Sequence, residues 1–224
     1  MCTPYAGGCC TSDLRPPIKS LDGGDFVTLQ SRLDRSGSIQ ARKLTSGTIQ
    51  PGVQAASLRL HLLSGGHRIE RLLRLRWAAV AKGSITIFDN KGRPGQGPRP
   101  HQLPLISGVA QALAVFGRDG EFVISTTAGK KAISCRTLAG WAHDIVGTSI
   151  EGFQLKRIRS GVETLLAAKG ISREVRGQLQ SHGLTGVQAR HYDGHDYMLE
   201  KRRALEVLRV ELDHVADGEQ GELA

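Results

Sequence analysis

A mainly helical α+β domain, a helical bundle with a small antiparallel β-sheet, is predicted for this 224-residue chain by three observations. Apolar residues recur at helical spacing in separate runs, clearest at Ile69, Leu72, Leu73 and Trp77 and again at Leu205, Leu208, Leu212 and Val215. Strand-type alternation marks "SITIFD", followed by the turn-rich "NKGRPGQGPR" and a returning "PHQLPL", which together read as a hairpin with a long, positively charged tip. The length suffices for one large domain or two small ones, with a sizeable core.

Residues 1–18 lack apolar periodicity and carry three prolines, so they read as a disordered tail. "GDFVTLQSRLDRSG" sets Phe26, Leu29 and Leu33 on one side of a short helix, and "RKLTSGTIQPG" reads as loop. Val53 to Leu63 is apolar enough for a buried helix and is stopped by "SGG" at 64–66. "RIERLLRLRW" forms the next helical run. After the hairpin, "VAQALAVFG" and "CRTLAGWAHDIVG" read as helices. "IRSGVETLLAAKG" is a helix closed by Gly170 beyond its C-terminus, and Ser172 caps the following "REVRGQLQSH". "LEKRRALEVLRVELDHV" is the last helix, and no internal repeat occurs.

Thirty Lys and Arg against 21 Asp and Glu leave a formal charge of +9, which favours a polyanionic partner such as nucleic acid. Few aromatics leave little support for base stacking on single strands. Cys2, Cys9 and Cys10 lie in the N-terminal tail and Cys135 stands alone, matching neither zinc-ligand spacing nor a secreted disulfide framework. Neither a bilayer-spanning apolar run nor a signal peptide is visible, so a soluble, cytoplasmic protein is expected. "GRPGQG" lacks the Walker spacing and its GK[ST], which argues against a nucleotide site.

Four blocks occurring in order, "LLSGGHRIERLLRLRW", "ITIFDNKGR…HQLPL", "KRIRSGVETLLAAKGISREVRGQLQSHGL" and "VQARHYDGHDYMLEKRRALE", resemble the catalytic domain of tyrosine recombinases, phage and genomic-island integrases above all. The resemblance runs from about residue 20 to 215. It implies Tyr192 as nucleophile, Arg68 and Arg159 as the phosphate-binding arginines, Lys91 as the mobile lysine of the hairpin, and His182 as the histidine that follows the second arginine. Lys156 stands where the family usually has a histidine. The implied activity is site-specific recombination and integration of double-stranded DNA through a 3′-phosphotyrosine, with self-association as a tetramer on DNA. It implies no cofactor, metal, membrane or small-molecule substrate.

These residue types suit that chemistry. Negative charge grows on a phosphodiester as its pentacoordinate transition state forms, and two guanidiniums can clamp the non-bridging oxygens. A phenol of pKa about 10 needs a base or a strongly positive field to attack at neutral pH. A lysine on a flexible stem can protonate the departing 5′ oxygen. Arg159 and Lys156 are three residues apart, which puts both on one helical face.

Each residue also has a plainer reading. Arg68 or Arg159 alone would ordinarily be a solvated surface arginine, and Lys91 an exposed charge in a turn that also offers Arg93 and Arg99. His182 could simply answer a helix dipole. Tyr197 competes with Tyr192 for the nucleophile; Tyr192, ten residues after His182, has the family's spacing. His191 and His195, flanked by Asp193 and Asp196, suggest a metal pair that Gly194 weakens.

Two departures from the family are expected to matter. The catalytic domain is assigned to 19–217, with a C-terminal tail at 218–224, so a core-binding domain is apparently missing. The alternative is therefore a truncated, catalytically weak remnant that only binds DNA or a recombinase. Lys156 replaces the usual histidine, and Ser160-Gly161 stands where an Arg or Thr pair is common; Gly161 inside a helix costs about 1 kcal/mol against alanine. The last helix, 199–215, is expected to offer an apolar face to a neighbouring protomer.

Overall fold

The computed structural model describes residues 21–36, 43–44, 47–48, 52–89, 97–182 and 195–218. Its axis is helix α2 (Val53–Leu63), buried on nearly every side at Val53, Ala55, Ala56, Ser57, Leu58, Leu60, His61 and Leu62. A helix this short and this apolar holds only when other helices enclose it. Helices α1 (Gly23–Ser36), α4 (Ser107–Ala114), α5 (Cys135–Val146) and α6 (Arg157–Ala168) do so. The expected fold class, mainly α with a small antiparallel sheet, is the one observed.

The sheet is β3 (Val80–Ala81), β4 (Ser84–Asp89) and β5 (Arg99–Pro104), antiparallel in that order. Ile85 and Ile87 of β4 and Leu103 of β5 point into the core while Phe88 and Pro100 face out, the alternation that "SITIFD" encodes. Asp89 pairs with Arg99 as the last rung before the hairpin tip. The segment expected to be a plain loop before α2 instead contains a short antiparallel pair, β1 (Lys43–Leu44) with β2 (Gly47–Thr48).

Helix α3 (Ile69–Leu73) ends earlier than its apolar pattern predicts. Trp77 lies in a 3₁₀ turn because the chain leaves the helix to bond elsewhere: Val123 N donates to Leu75 O and Trp77 N to Glu121 O, both at 3.0 Å. Helices α6 and α7 (Arg173–Gln180) are delimited as the sequence predicts. Gly170 adopts φ +76°, with Ile171 N on Leu166 O at 3.0 Å and Gly170 N on Ala167 O at 3.1 Å, a Schellman closure. The Ser172 hydroxyl accepts from Val175 N at 3.3 Å.

Gly161 has a purpose that helix propensity does not reveal. A Cβ there would lie 2.7 Å from Phe26 Cζ and 2.9 Å from Leu21 Cβ, so glycine is what lets the start of α1 press against α6.

The last helix, α8 (Met198–Gly218), corrects another expectation. Ala204, Leu205, Leu208 and Leu212 are buried within its own chain, where α8 packs on α1, α6, α7 and β5. That face is already covered and is not free to dock on a neighbour. Among the described residues no helix is long and apolar enough to cross a membrane.

Candidate active site

Three consecutive backbone features at the end of α2 bring the two candidate arginines together. The helix closes in a Schellman motif, with Gly66 N on His61 O and Gly65 N on Leu62 O, both at 3.0 Å. Gly65 and Gly66 take φ +98° and +65°, turning the chain sharply. The turn lands directly on α6: a Cβ on Gly66 would stand 2.9 Å from Arg159 Cα and 3.4 Å from both Arg159 N and Ile158 O. Arg68, two residues further on and exposed, occupies the N-cap position of α3. Gly66, two positions before Arg68, thus meets Arg159 across 93 residues of sequence.

Arg159 is half-buried, and main-chain oxygens aim its guanidinium: Nη2 donates to Gln180 O at 2.9 Å and Nη1 reaches Gly66 O at 3.5 Å. Its pKa is pulled down to about 10, first by burial, then by repulsion from Arg68 and Arg71, with Glu163 opposing. The group remains cationic at neutral pH. Cations that depress one another in this way form a site that an incoming anion relieves.

Arg71, one turn after Arg68, is a site residue that sequence reasoning did not single out. It is buried and pairs with Asp89 at 2.5 Å, tying α3 to the base of the hairpin. Burial lowers its pKa first; Asp89 opposes this, and Arg68 and Arg99 add to the lowering. Arg68 and Arg71 therefore bear on Arg159, and Arg68 and Arg99 on Arg71. The available signal was the i,i+3 spacing of Arg68 and Arg71, but a second arginine on a short helix reads as solvated surface.

His182 joins this region just past α7. Ser181 precedes it in left-handed backbone (φ 53°, ψ 50°), and His182 N bonds Gly177 O at 3.0 Å. Burial lowers the imidazole pKa first, then Arg159; Glu163 opposes and Arg68 adds to the lowering. Glu163 Oε2 is 3.8 Å from His182 Nε2, while its Oε1 accepts from Arg176 Nε at 2.8 Å. A non-glycine residue in the left-handed region is strained by roughly 1–2 kcal/mol. Ser181→Gly is expected to stabilise the fold by up to about 1 kcal/mol once the extra freedom glycine gives the unfolded chain is subtracted, read as a raised urea midpoint at unchanged slope.

Lys156 is exposed at the N-cap of α6, in right-handed helical backbone. Lys91 and Tyr192 lie outside the described residues, as do Arg93 and His191. Tyr197 donates its hydroxyl to Glu174 Oε1 at 2.6 Å, stacks edge-on to His195 at 4.6 Å between centroids, and has φ +54°. His195 Nε2 is 2.9 Å from Glu200 Oε1. Among the described residues no cluster of three or more His, Cys, Asp or Glu is arranged to hold a metal.

Three histidines sit beneath the arginines. His61 and His67 are fully buried and His101 is half-buried; His61 Nε2 is 2.8 Å from His67 O, and the His67 and His101 rings are 5.2 Å apart. Burial lowers His61 and His101 to about 4 each, and His67 well below the usual range. Arg159 and Arg71 bear on His67, and Lys201, Arg71 and the opposing Asp89 bear on His101. In the unfolded chain these imidazoles take up protons near pH 6.5, before the folded protein does. Their contribution is thus complete above about pH 6.5 and is lost as pH falls towards 4. Urea midpoints are expected to fall steeply over that interval, and His101→Gln to flatten the slope.

No protein-family model matches the sequence, and no curated protein matches it. Among solved structures the chain is similar to the integrase of mycobacterium phage Brujita: TM-score 0.59 and 13% identity, over 90% of this chain and 64% of that one. It is similar to XerH site-specific recombinase bound to difH substrate in a pre-cleavage complex, with TM-score 0.52, 12% identity, and 91% and 52% of the two chains covered. It is also similar to the lambda integrase catalytic core, at TM-score 0.50 and 17% identity over 74% of this chain and 96% of that one. All three are tyrosine recombinases, and the fold described here is that of their catalytic domain. The chain spans 64% of the Brujita integrase and 52% of XerH.

Proposed function

We propose that this tyrosine-recombinase fold cuts and rejoins duplex DNA at specific sites through a 3′-phosphotyrosine on Tyr192. The observation that carries the reading is the Gly66 contact, which seats the Arg68 turn on Arg159 and makes one electropositive site with His182 at its edge. Arg159 and Arg68 hold the non-bridging oxygens of the scissile phosphate, and their charge lowers the cost of the transition state. The Tyr192 oxygen attacks phosphorus and passes its proton to water, and the bond to the 5′ oxygen breaks. Lys91, two residues beyond Asp89, gives that oxygen its proton. A 5′ hydroxyl from a second strand reverses the steps, so no high-energy cofactor is consumed.

Glu174 supports Tyr192 over Tyr197 as the nucleophile. The carboxylate that accepts from the Tyr197 hydroxyl would repel a phosphate there. Two duplexes exchanging both strands need one nucleophile per cut, so four copies act together on the DNA.

The test is incubation with nicked suicide duplexes bearing attachment sites selected from a randomised library, followed by mass spectrometric mapping of the attached residue. A covalent adduct on Tyr192 is expected. An adduct on Tyr197 would reassign the nucleophile, and DNA binding without any adduct would leave a binding module in place of an enzyme.

A further inference from the structure

Gln180 is the last residue of α7, and its side chain is 1% exposed. A buried amide is costly unless its donors are satisfied, and leucine would fill a similar volume without that cost. Here Nε2 donates to Gly65 O and to Arg159 O, each at 3.0 Å. The first oxygen belongs to the turn leading to Arg68, the second to the helix carrying Arg159. The main-chain oxygen of the same glutamine accepts from Arg159 Nη2 at 2.9 Å. One residue therefore braces the Arg68 turn against α6 and also aims the Arg159 guanidinium, two residues before His182.

We propose that Gln180 is a positioning residue: its amide fixes the separation of the Arg68 turn from Arg159, and its carbonyl sets the direction of the Arg159 fork. This rests on the phosphate-binding role given above to the two arginines. A guanidinium has five N–H donors in a rigid plane. Two of those in Arg159 go to Gln180 O and Gly66 O, which orients the remaining three. The Gly66 contact presses the turn on α6 but cannot by itself stop the two from sliding. The amide, bonded to both, resists that sliding. A misplacement of about 1 Å can cost about 10²-fold in rate, so a brace of this kind acts on turnover and not on DNA affinity.

Gln180→Leu keeps the volume and removes both donors. In single-turnover assays at saturating suicide DNA it is expected to slow adduct formation by about 10–100-fold, with DNA affinity within about threefold of wild type. Gln180→Glu tests the same donors by pH. Its carboxylate would face two carbonyl oxygens at neutral pH, and protonation would restore one O–H donor. Its rate relative to wild type is expected to rise as pH falls, which loss of folding would not produce. Backbone NMR order at Gly65 and Gly66 reads the amide brace without any cleavage: high in wild type, lower in Gln180→Leu, which loses the bond to Gly65 O. Unchanged order at that turn in Gln180→Leu would overturn the proposal, as would slowing of both variants equally at every pH in step with lost stability. Wild type that forms no adduct would sink the recombinase reading, and the backbone-order measurement would still decide the role of Gln180.

Discussion

Arg159→Ala is expected to slow formation of the covalent DNA adduct by about 10²–10³-fold, the loss typical of removing one preorganised transition-state donor. The expectation comes from where the charge sits. Arg159 is half-buried, held by two carbonyl oxygens and depressed by neighbouring arginines, so at a bound phosphate its field would act with reduced screening and little reorganisation. Arg68, being exposed, cannot replace it. Arg159→Lys is expected to recover only part of the rate, because an ammonium is a compact point charge that cannot reach Gly66 O, Gln180 O and a phosphate together. Stability should change little, since removing the side chain also relieves repulsion with Arg68 and Arg71. Single-turnover rates with thermal unfolding of the same samples check both points. A rate within a few-fold of wild type would exclude Arg159 from the phosphate site.

Gly66→Ala is expected to be the most destabilising of the glycine substitutions at helix ends, costing about 2–4 kcal/mol. Two penalties coincide there. The residue sits at φ +65°, where a side chain costs roughly 1–2 kcal/mol. The new Cβ would also lie 2.9 Å from Arg159 Cα, which is backbone, so α6 itself must move. Gly170→Ala is the control: φ is +76°, yet nothing lies within 4 Å of the added carbon, so it bears the conformational cost alone. Denaturant midpoints separate the two. Gly66→Ala should also lose more cleavage than its lost stability explains, because the displacement occurs between Arg68 and Arg159.

The elements visible in advance were those whose signals lie within one segment. The apolar density of α2, the apolar period of α8, the alternation of β4, the Gly170 closure and the Ser172 cap each need only neighbours along the chain. Trp77 was misjudged because the hydrogen bonds that end α3 come from residues 121–123, far along the sequence. Gly161 appeared to be a helix defect because its reason, the ring of Phe26, lies on another helix.

The site divides in the same way. Arg68, Arg159 and His182 could be nominated from their blocks. Lys156 keeps helical backbone at the cap of α6, as its spacing from Arg159 predicts, but is exposed where Arg159 is half-buried. Arg71, Asp89 and Gln180 gave no usable signal, because a buried ion pair and a bracing amide are defined by partners on other elements. The sequence alone determined the order of helices, the hairpin, the basic charge and the residue types able to hold a phosphate, all set by local backbone preference and composition. Only the tertiary structure decided which cations meet, which carbonyls aim them and which apolar face is already covered, because electrostatics and packing act through space between residues that the chain keeps far apart.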